Sequence, residues 1–192
     1  MDRRRDNNFA IFKADSPIVY KQILLPDEIE LLNTYFMNQL NDNNNNKSGG
    51  IATGRRLHVD VCLKSLFVDI CERLSIVLRD YFPDLQIDPN GRFYNHQYGG
   101  VKPHKDGCHD GKSNYTLLLY ITEGFDDGRL SIKMKRTDDE IQQSEQDKFH
   151  KVFTFNQRKG YGVIFKKDLL HWANDNYVGD KNFLLIHLYS AF

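Results

Sequence analysis

The segment VKPHKDG, residues 101–107, sets His104 and Asp106 two positions apart. Imidazole and carboxylate both ligate divalent metals, and in an extended chain the side chains at i and i+2 leave the same face. Pro103 favours extension, because it removes a backbone donor and biases Lys102 away from helical geometry. One strand can thus aim two ligands at one point, and a third must come from elsewhere. Beyond the turn CHDGKSN three histidines remain. His150 belongs to a charged stretch and reads as a solvated loop residue. His187 lies in the last apolar run. His171 ends the run GYGVIFKKDLLHW, where a strand would deliver it near a sheet interior.

His104, Asp106 and His171 would give two imidazoles and one carboxylate, the donor set of non-heme Fe(II) oxygenases, which leaves coordination positions open. Structural zinc favours four ligands, mostly thiolates and imidazoles, whereas catalytic zinc accepts two histidines and a carboxylate. A second His-x-Asp, His58 and Asp60, directly precedes a helical stretch. Asp60 there reads as a helix-start residue and His58 as a surface or packing side chain. Cys108 and His109 fall in CHDGKSN and read as loop residues.

Lys181 opens the last apolar run, ten positions after His171. On a strand, residues 181, 183, 185 and 187 share one face, while Asn182, Leu184, Ile186 and Leu188 share the other, apolar enough to pack on helices. An inward Lys181 needs an anion to meet it. Thr116 and Tyr120, on one face of NYTLLLYI, could join it around a carboxylate. Equally, Lys181 could follow Gly179-Asp180 at a strand's start and point into solvent.

These side chains need a scaffold. At 192 residues the chain is most simply one domain, residues 1–192, long enough for a sizeable core. Lys+Arg and Asp+Glu balance at 26 each, so no net field draws it to nucleic acid or a membrane. No secretory signal is evident, no apolar run reaches the ~20 residues of a membrane span, and the cysteines show no zinc-finger spacing. The expected location is intracellular and soluble, in cytoplasm or nucleus. LPDEIELLNTYFMNQL, from Leu25, has proline and acids at its start and apolar residues at helical spacing, predicting about four turns. Residues 63–82 predict a second helix with Leu66, Ile70, Leu74 and Val77 as its stripe. After Pro83 the pattern changes to short apolar or alternating runs broken by turn residues, which predicts a closed or two-sheet antiparallel architecture. The fold class is α+β, mainly β: helical support over about 18–83, a β core over about 90–192, and a polar insertion at 135–150. The Asn-rich run at 41–50 has no apolar periodicity and reads as a loop.

In this order, HKD, a distal histidine and a lysine ten residues later, with NYTLLLYIT after the first pair and KGYGVIF before the histidine, the chain resembles the Fe(II)- and 2-oxoglutarate-dependent dioxygenases, nearest their prolyl 4-hydroxylase-like branch. The resemblance covers roughly residues 18–192. It implies a double-stranded β-helix (jelly-roll or cupin-like) with two supporting N-terminal helices. It implies Fe(II) on His104, Asp106 and His171, and the far carboxylate of 2-oxoglutarate held by Lys181 and Tyr120 with Thr116. Tyr94, ten residues before His104, would lie beside the cosubstrate. His187 would point inward near the metal as a second-shell group or an ordinary core histidine. DDGRLSI departs from the family's glycine-led segment at its first glycine and its threonine. The implied reaction is hydroxylation of a C–H bond with release of succinate and CO2, with ascorbate as a possible reductant. Asp106 favours hydroxylation, since related halogenases replace this carboxylate. A peptidyl proline on a protein or peptide is the leading substrate, although the superfamily also uses small molecules. Loops at 41–54, 95–101 and 135–150 would set the choice, and Arg55 and Arg56 beside the first read as a solvated pair. Two rivals stand beside this reading: a non-catalytic jelly-roll module, and a zinc hydrolase using the same ligands. Oligomeric state has no signal in the sequence.

Overall fold

In YTLLLY, residues 115–120, every second side chain must be buried on one face and the rest on the other, because the run holds almost nothing that prefers water. The computed structural model, which describes residues 9–11, 18–43, 56–62, 65–88, 90–107, 114–123, 129–135, 150–173 and 178–189, shows how both faces are covered. In chain order the elements begin with β1 (Phe9–Ile11), β2 (Ile18–Gln22), α1 (Pro26–Asn43), β3 (Arg56–Cys62), α2 (Ser65–Val77), β4 (Gln86–Ile87) and β5 (Asn90–Tyr98). There follow β6 (Val101–His104), β7 (Tyr115–Tyr120), β8 (Leu130–Lys135), β9 (His150–Phe155), β10 (Tyr161–Lys166), β11 (Leu170–Ala173) and β12 (Val178–Tyr189). Among the described residues no helix is long and apolar enough to cross a membrane.

The strands form two antiparallel sheets. The larger runs β1-β2-β10-β7-β12-β5-β3, with β4 also pairing β12, and the smaller runs β6-β11-β8-β9. This two-sheet jelly roll with two helices is the architecture expected from the sequence. One apolar cluster joins the outer face of the larger sheet (Leu117, Leu119, Leu184, Ile186) to the helices through Leu32, Phe36, Ile70 and Leu74. A second fills the space between the sheets, with Tyr120, Ile132, Val163 and Phe183 among its members. Each fully buried side chain of this size contributes about 1.5–3 kcal/mol relative to exposure. Strand parity therefore sorts β7 and β12 as predicted: odd residues of β7 and even residues of β12 face the helices, and the others face the smaller sheet.

The helical support is locked at its base. Pro26 occupies the first helical position, and the Glu28 carboxylate accepts the Leu25 backbone N–H at 2.7 Å. Arg73 of α2 donates to both Glu28 oxygens and, at 2.6 Å, to the Ile23 carbonyl. Asn182 on β12 donates to Asn33 of α1 at 2.8 Å and accepts from Asn95 of β5 at 2.6 Å. A buried amide ladder thus ties the strand that carries Lys181 to the helix layer, a polar exception on a face predicted to be apolar.

Several expectations need correction. Residues 18–83 are not purely helical, since β2 and β3 belong to the larger sheet. His58 and Asp60 sit in β3, paired in register with Tyr94 and Arg92, and α2 starts only at Ser65. Asp60 is therefore no helix cap: the alternation of RLHVDVC is a strand's. α2 ends at Val77, and tighter turns carry Phe82 into the core. Its buried stripe is Phe67, Ile70 and Leu74, continued by Leu78 in the turn beyond the helix, rather than one through Val77. Residues 95–98 continue β5 instead of forming a loop, and His150 opens β9 rather than closing an insertion. Residues 136–149, 44–55, 108–113 and 124–128 lie outside the described residues, and with them residues 44–50 of the Asn-rich run, Arg55, Cys108, His109 and the start of DDGRLSI, whereas residues 41–43, expected in that loop, close α1.

Candidate metal centre and its cavity

β6 and β11 are neighbours, and His171 is the direct register partner of His104. Direct partners on one face bring their side chains together, and the two imidazole centroids stand 4.2 Å apart. Asp106 follows the end of β6, where its backbone N–H donates to the Lys167 carbonyl at 3.0 Å, in the turn between β10 and β11. Its Oδ1 lies 3.5 Å from His104 Nε2 and 3.6 Å from His171 Nε2. An ion about 2.1 Å from three mutually perpendicular donors separates them by roughly 3 Å, so small side-chain movements would complete such a shell.

The strands also aim the rings. His104 Nδ1 lies 2.9 Å from the Lys102 carbonyl, and His171 Nδ1 lies 2.9 Å from the Leu169 carbonyl. A carbonyl only accepts, so in the neutral rings Nδ1 carries the proton and Nε2 presents its lone pair to the common point. Burial lowers His104, but its hydrogen bond and attraction to Asp106 and its contact with the Lys102 carbonyl leave it above its ordinary value. His171 is more deeply enclosed, and burial holds it below the ordinary value. Burial pushes Asp106 up, yet hydrogen bonding with His104, the nearby His171 and the Thr116 hydroxyl bring it to about 2. The carboxylate is ionised at neutral pH and waits for a cation.

Thr116 takes a different place from the one expected. Its Oγ1 donates to Asp106 Oδ2 at 2.6 Å. The reason is distance along β7: Thr116 and Tyr120 share a face but stand four residues apart, roughly 13 Å in a strand. They cannot converge on one carboxylate. Thr116 belongs to the Asp106 end, where it orients the carboxylate. Its replacement, Thr116→Val, keeps the shape, removes that donor, and is expected to weaken divalent-metal affinity about 10–100-fold. Titration of the apoprotein with Mn(II) would measure the loss, and unchanged affinity would show the contact to be idle.

From the triad a cavity of about 130 Å³ extends between the sheets, walled by Leu118, Leu130, Phe183 and Leu185. Lys181 points into it and is only 7% exposed, so the inward alternative holds and the solvent-facing one does not. Its Nζ stands 6.0 Å from the Tyr120 ring centroid and 5.6 Å from that of Phe183. Burial brings its pKa down to about 7. The Tyr120 hydroxyl is buried without a hydrogen-bond partner among the described residues. A buried phenol left unsatisfied is costly, and beside a buried amine it offers a place that suits an anion. Tyr94 lines the same cavity, and its hydroxyl accepts from Arg92 at 3.3 Å. His187 pairs in register with Thr116 and is half-buried, but it does not line the cavity. Sequence reading missed His96, which does line it. The signal was present: His96 is two residues beyond Tyr94 and shares its face.

The chain carries the double-stranded β-helix fold seen in solved 2-oxoglutarate- and iron-dependent oxygenases, with a His-Asp-His cluster between its sheets. No family model and no curated protein matches the sequence. Solved structures do. The non-heme alpha-ketoglutarate-dependent epimerase SnoN from nogalamycin biosynthesis is similar at a TM-score of 0.67 and 11% identity, over 91% of this chain and 76% of that one. A viral collagen prolyl hydroxylase from Paramecium bursaria Chlorella virus-1, in complex with 2-oxoglutarate, is similar at 0.59 and 12% identity, over 91% and 96%. A prolyl hydroxylase from Trichoplax adhaerens, in complex with a peptide fragment of the hypoxia-inducible-factor oxygen degradation domain, is similar at 0.66 and 9% identity, over 90% and 83%.

Proposed function

We propose that the protein is an Fe(II)- and 2-oxoglutarate-dependent oxygenase that hydroxylates a C–H bond, with a peptidyl proline as the leading substrate. The observation that carries this reading is a single cavity with a His-Asp-His cluster at one end and a buried, anion-seeking lysine with an unsatisfied phenol at the other. A non-catalytic jelly-roll module has no need of either end. A zinc hydrolase could use the three ligands but has no task for a buried amine so far from them.

In this reading His104 and His171 present Nε2 and Asp106 its carboxylate to iron, with Thr116 fixing the carboxylate's plane. Lys181 and Tyr120 receive the far carboxylate of 2-oxoglutarate and Tyr94 flanks it. Leu118, Leu130, Phe183 and Leu185 exclude water from the space between. Iron with 2-oxoglutarate, when bound, supplies the dioxygen chemistry that side chains cannot. The three ligand side chains line one end of the cavity, so a cosubstrate and a substrate C–H bond held there would be directed toward the same point.

Three of the similar structures are prolyl hydroxylases, one in complex with a peptide fragment, and this supports peptidyl proline as the first substrate to try. SnoN, an epimerase, sets the limit of that support. The test is anaerobic loading with Fe(II), addition of 2-oxoglutarate and oxygen, and a panel of proline-containing peptides read by mass spectrometry. Succinate release with one oxygen gained on proline is expected. Succinate without peptide modification would reject proline and keep the reaction class. Failure of the metal-loaded protein to bind 2-oxoglutarate would reject both.

A further inference from the structure

The far end of the cavity contains a second nitrogen group besides Lys181. In the pairing of β5 with β12, His96 is the direct register partner of Lys181. Direct partners leave the sheet on one face with their Cβ atoms about 5 Å apart. Both side chains are buried, His96 at 5% exposure, and both line the cavity. The plane of the imidazole is set by two aromatic neighbours: it stands edge-to-face with Phe183 at 5.1 Å and 79°, and with Tyr94 at 5.9 Å and 78°. Phe183 is also the ring beside the Lys181 ammonium. The two polar heads therefore flank one aromatic wall.

The acids matter as much as the bases. Among the described residues that line the cavity the one carboxylate is that of Asp106, at the metal end. Lys181, His96 and Tyr120 bring donors to the other end. A carboxylate has two oxygens and about four acceptor sites. An ammonium and one phenol leave part of that capacity unused, whereas a neighbouring imidazole N–H uses it.

We propose that His96 is a cosubstrate-binding residue that donates to the far carboxylate beside Lys181, and so makes the site select a 2-oxo acid bearing a second carboxylate over one of equal length without it. This rests on the reading of the cavity as a 2-oxoglutarate site. The imidazole's place is fixed by its aromatic neighbours before binding, so the donor is pre-organised and its contribution falls on discrimination between ligands.

The experiment compares 2-oxoglutarate with 2-oxopentanoate, which has the same chain length and lacks the second carboxylate. Calorimetric titration of Mn(II)-loaded protein reads binding without turnover. A hydrogen bond to a charged group is worth about 1.5–3 kcal/mol, so His96→Phe should weaken 2-oxoglutarate about 10–100-fold and leave 2-oxopentanoate unchanged. His96→Gln, which keeps a donor, should recover part of the loss. It also serves as the soluble alternative if the phenylalanine variant does not fold, with its loss confined to 2-oxoglutarate. Equal weakening of both ligands would reduce His96 to a packing residue, and no weakening of either would remove it from the site. Either outcome overturns the inference and leaves the oxygenase reading standing. If the wild-type protein binds 2-oxoglutarate no more tightly than 2-oxopentanoate, the cosubstrate reading itself fails, and this inference with it.

Discussion

Asp106→Ala is expected to abolish iron-dependent succinate formation and to remove the thermal stabilisation that a divalent metal would give the wild-type protein. The carboxylate is the hub of the cluster: its Oδ1 faces both Nε2 atoms, and its Oδ2 takes the Thr116 hydroxyl. Without it, two imidazoles on adjacent strands remain, and they define a line of approach rather than one face of a coordination sphere. Losing an outer partner of a ligand costs about 10–100-fold in metal affinity, so losing the ligand itself costs more. A ligand that binds only the folded state stabilises it by mass action. Melting in the presence and absence of Mn(II) therefore separates loss of the metal site from loss of the fold.

The same substitution has a signature in the metal-free protein. Its neighbours hold the folded carboxyl at about 2, below the ordinary carboxylate value of 3.8. A depressed carboxyl gives stability that is present above the unfolded value and lost as pH falls through the folded one. Wild-type apoprotein should weaken between about pH 4 and about pH 2 by an amount on the order of 2 kcal/mol that the alanine variant does not show. His104, raised chiefly by Asp106 against its burial, loses that support in the variant and should titrate lower. Undiminished iron-dependent turnover in Asp106→Ala would sink the metal assignment.

The metal cluster was legible because its chemistry admits few residue types and because strand parity fixes faces. His104 and Asp106 two apart, and a histidine ending an apolar run, suffice to suggest a site. That His171 lies directly opposite His104 is a matter of register between strands distant in sequence, which no local pattern encodes. Parity failed where it was applied without distance. Thr116 and Tyr120 do share a face, but the rise per residue puts Thr116 at the Asp106 carboxylate and Tyr120 beside Lys181. It failed again where it was not applied. RLHVDVC alternates as a strand should, yet its nearness to an apolar helix made Asp60 look like a cap. YNHQYGG ends in glycines and carries an asparagine, so it read as a loop and hid His96 on the face of Tyr94. The stripe of α2 was displaced because Phe67, with Leu78 in the turn after the helix, joins the buried cluster while Val77 stays only half-buried. Helices and core strands were thus readable as elements. Their phase and partners were decided by tertiary packing.

Lys181→Met should give a protein that is more stable and unable to hold the cosubstrate. Burial lowers the lysine from 10.5 to about 7, and among the described residues no carboxylate lines that end of the cavity. A base whose folded value is depressed binds fewer protons folded than unfolded between those two values. Stability of the ligand-free wild type therefore climbs as pH rises from about 7 toward about 10, and below about 7 the penalty is complete. A methionine of similar length fills the same apolar space with no charge to desolvate, and the variant should be more stable at pH 7 by an amount on the order of a few kcal/mol. The climb with pH should vanish with it. Binding reverses the account. A dicarboxylate restores the charged amine, so above about pH 7 the wild type takes up a proton on binding 2-oxoglutarate, and its affinity falls by up to tenfold per pH unit. Breaking a buried pair costs about 3–5 kcal/mol, which sets the loss of 2-oxoglutarate affinity in Lys181→Met at more than about 100-fold. Denaturant titrations from about pH 6 to about pH 10, beside calorimetry with Mn(II)-loaded protein, measure both halves. A variant that keeps its affinity would move the far carboxylate elsewhere. One that loses affinity but gains no stability would mean that the amine is already compensated before any ligand arrives.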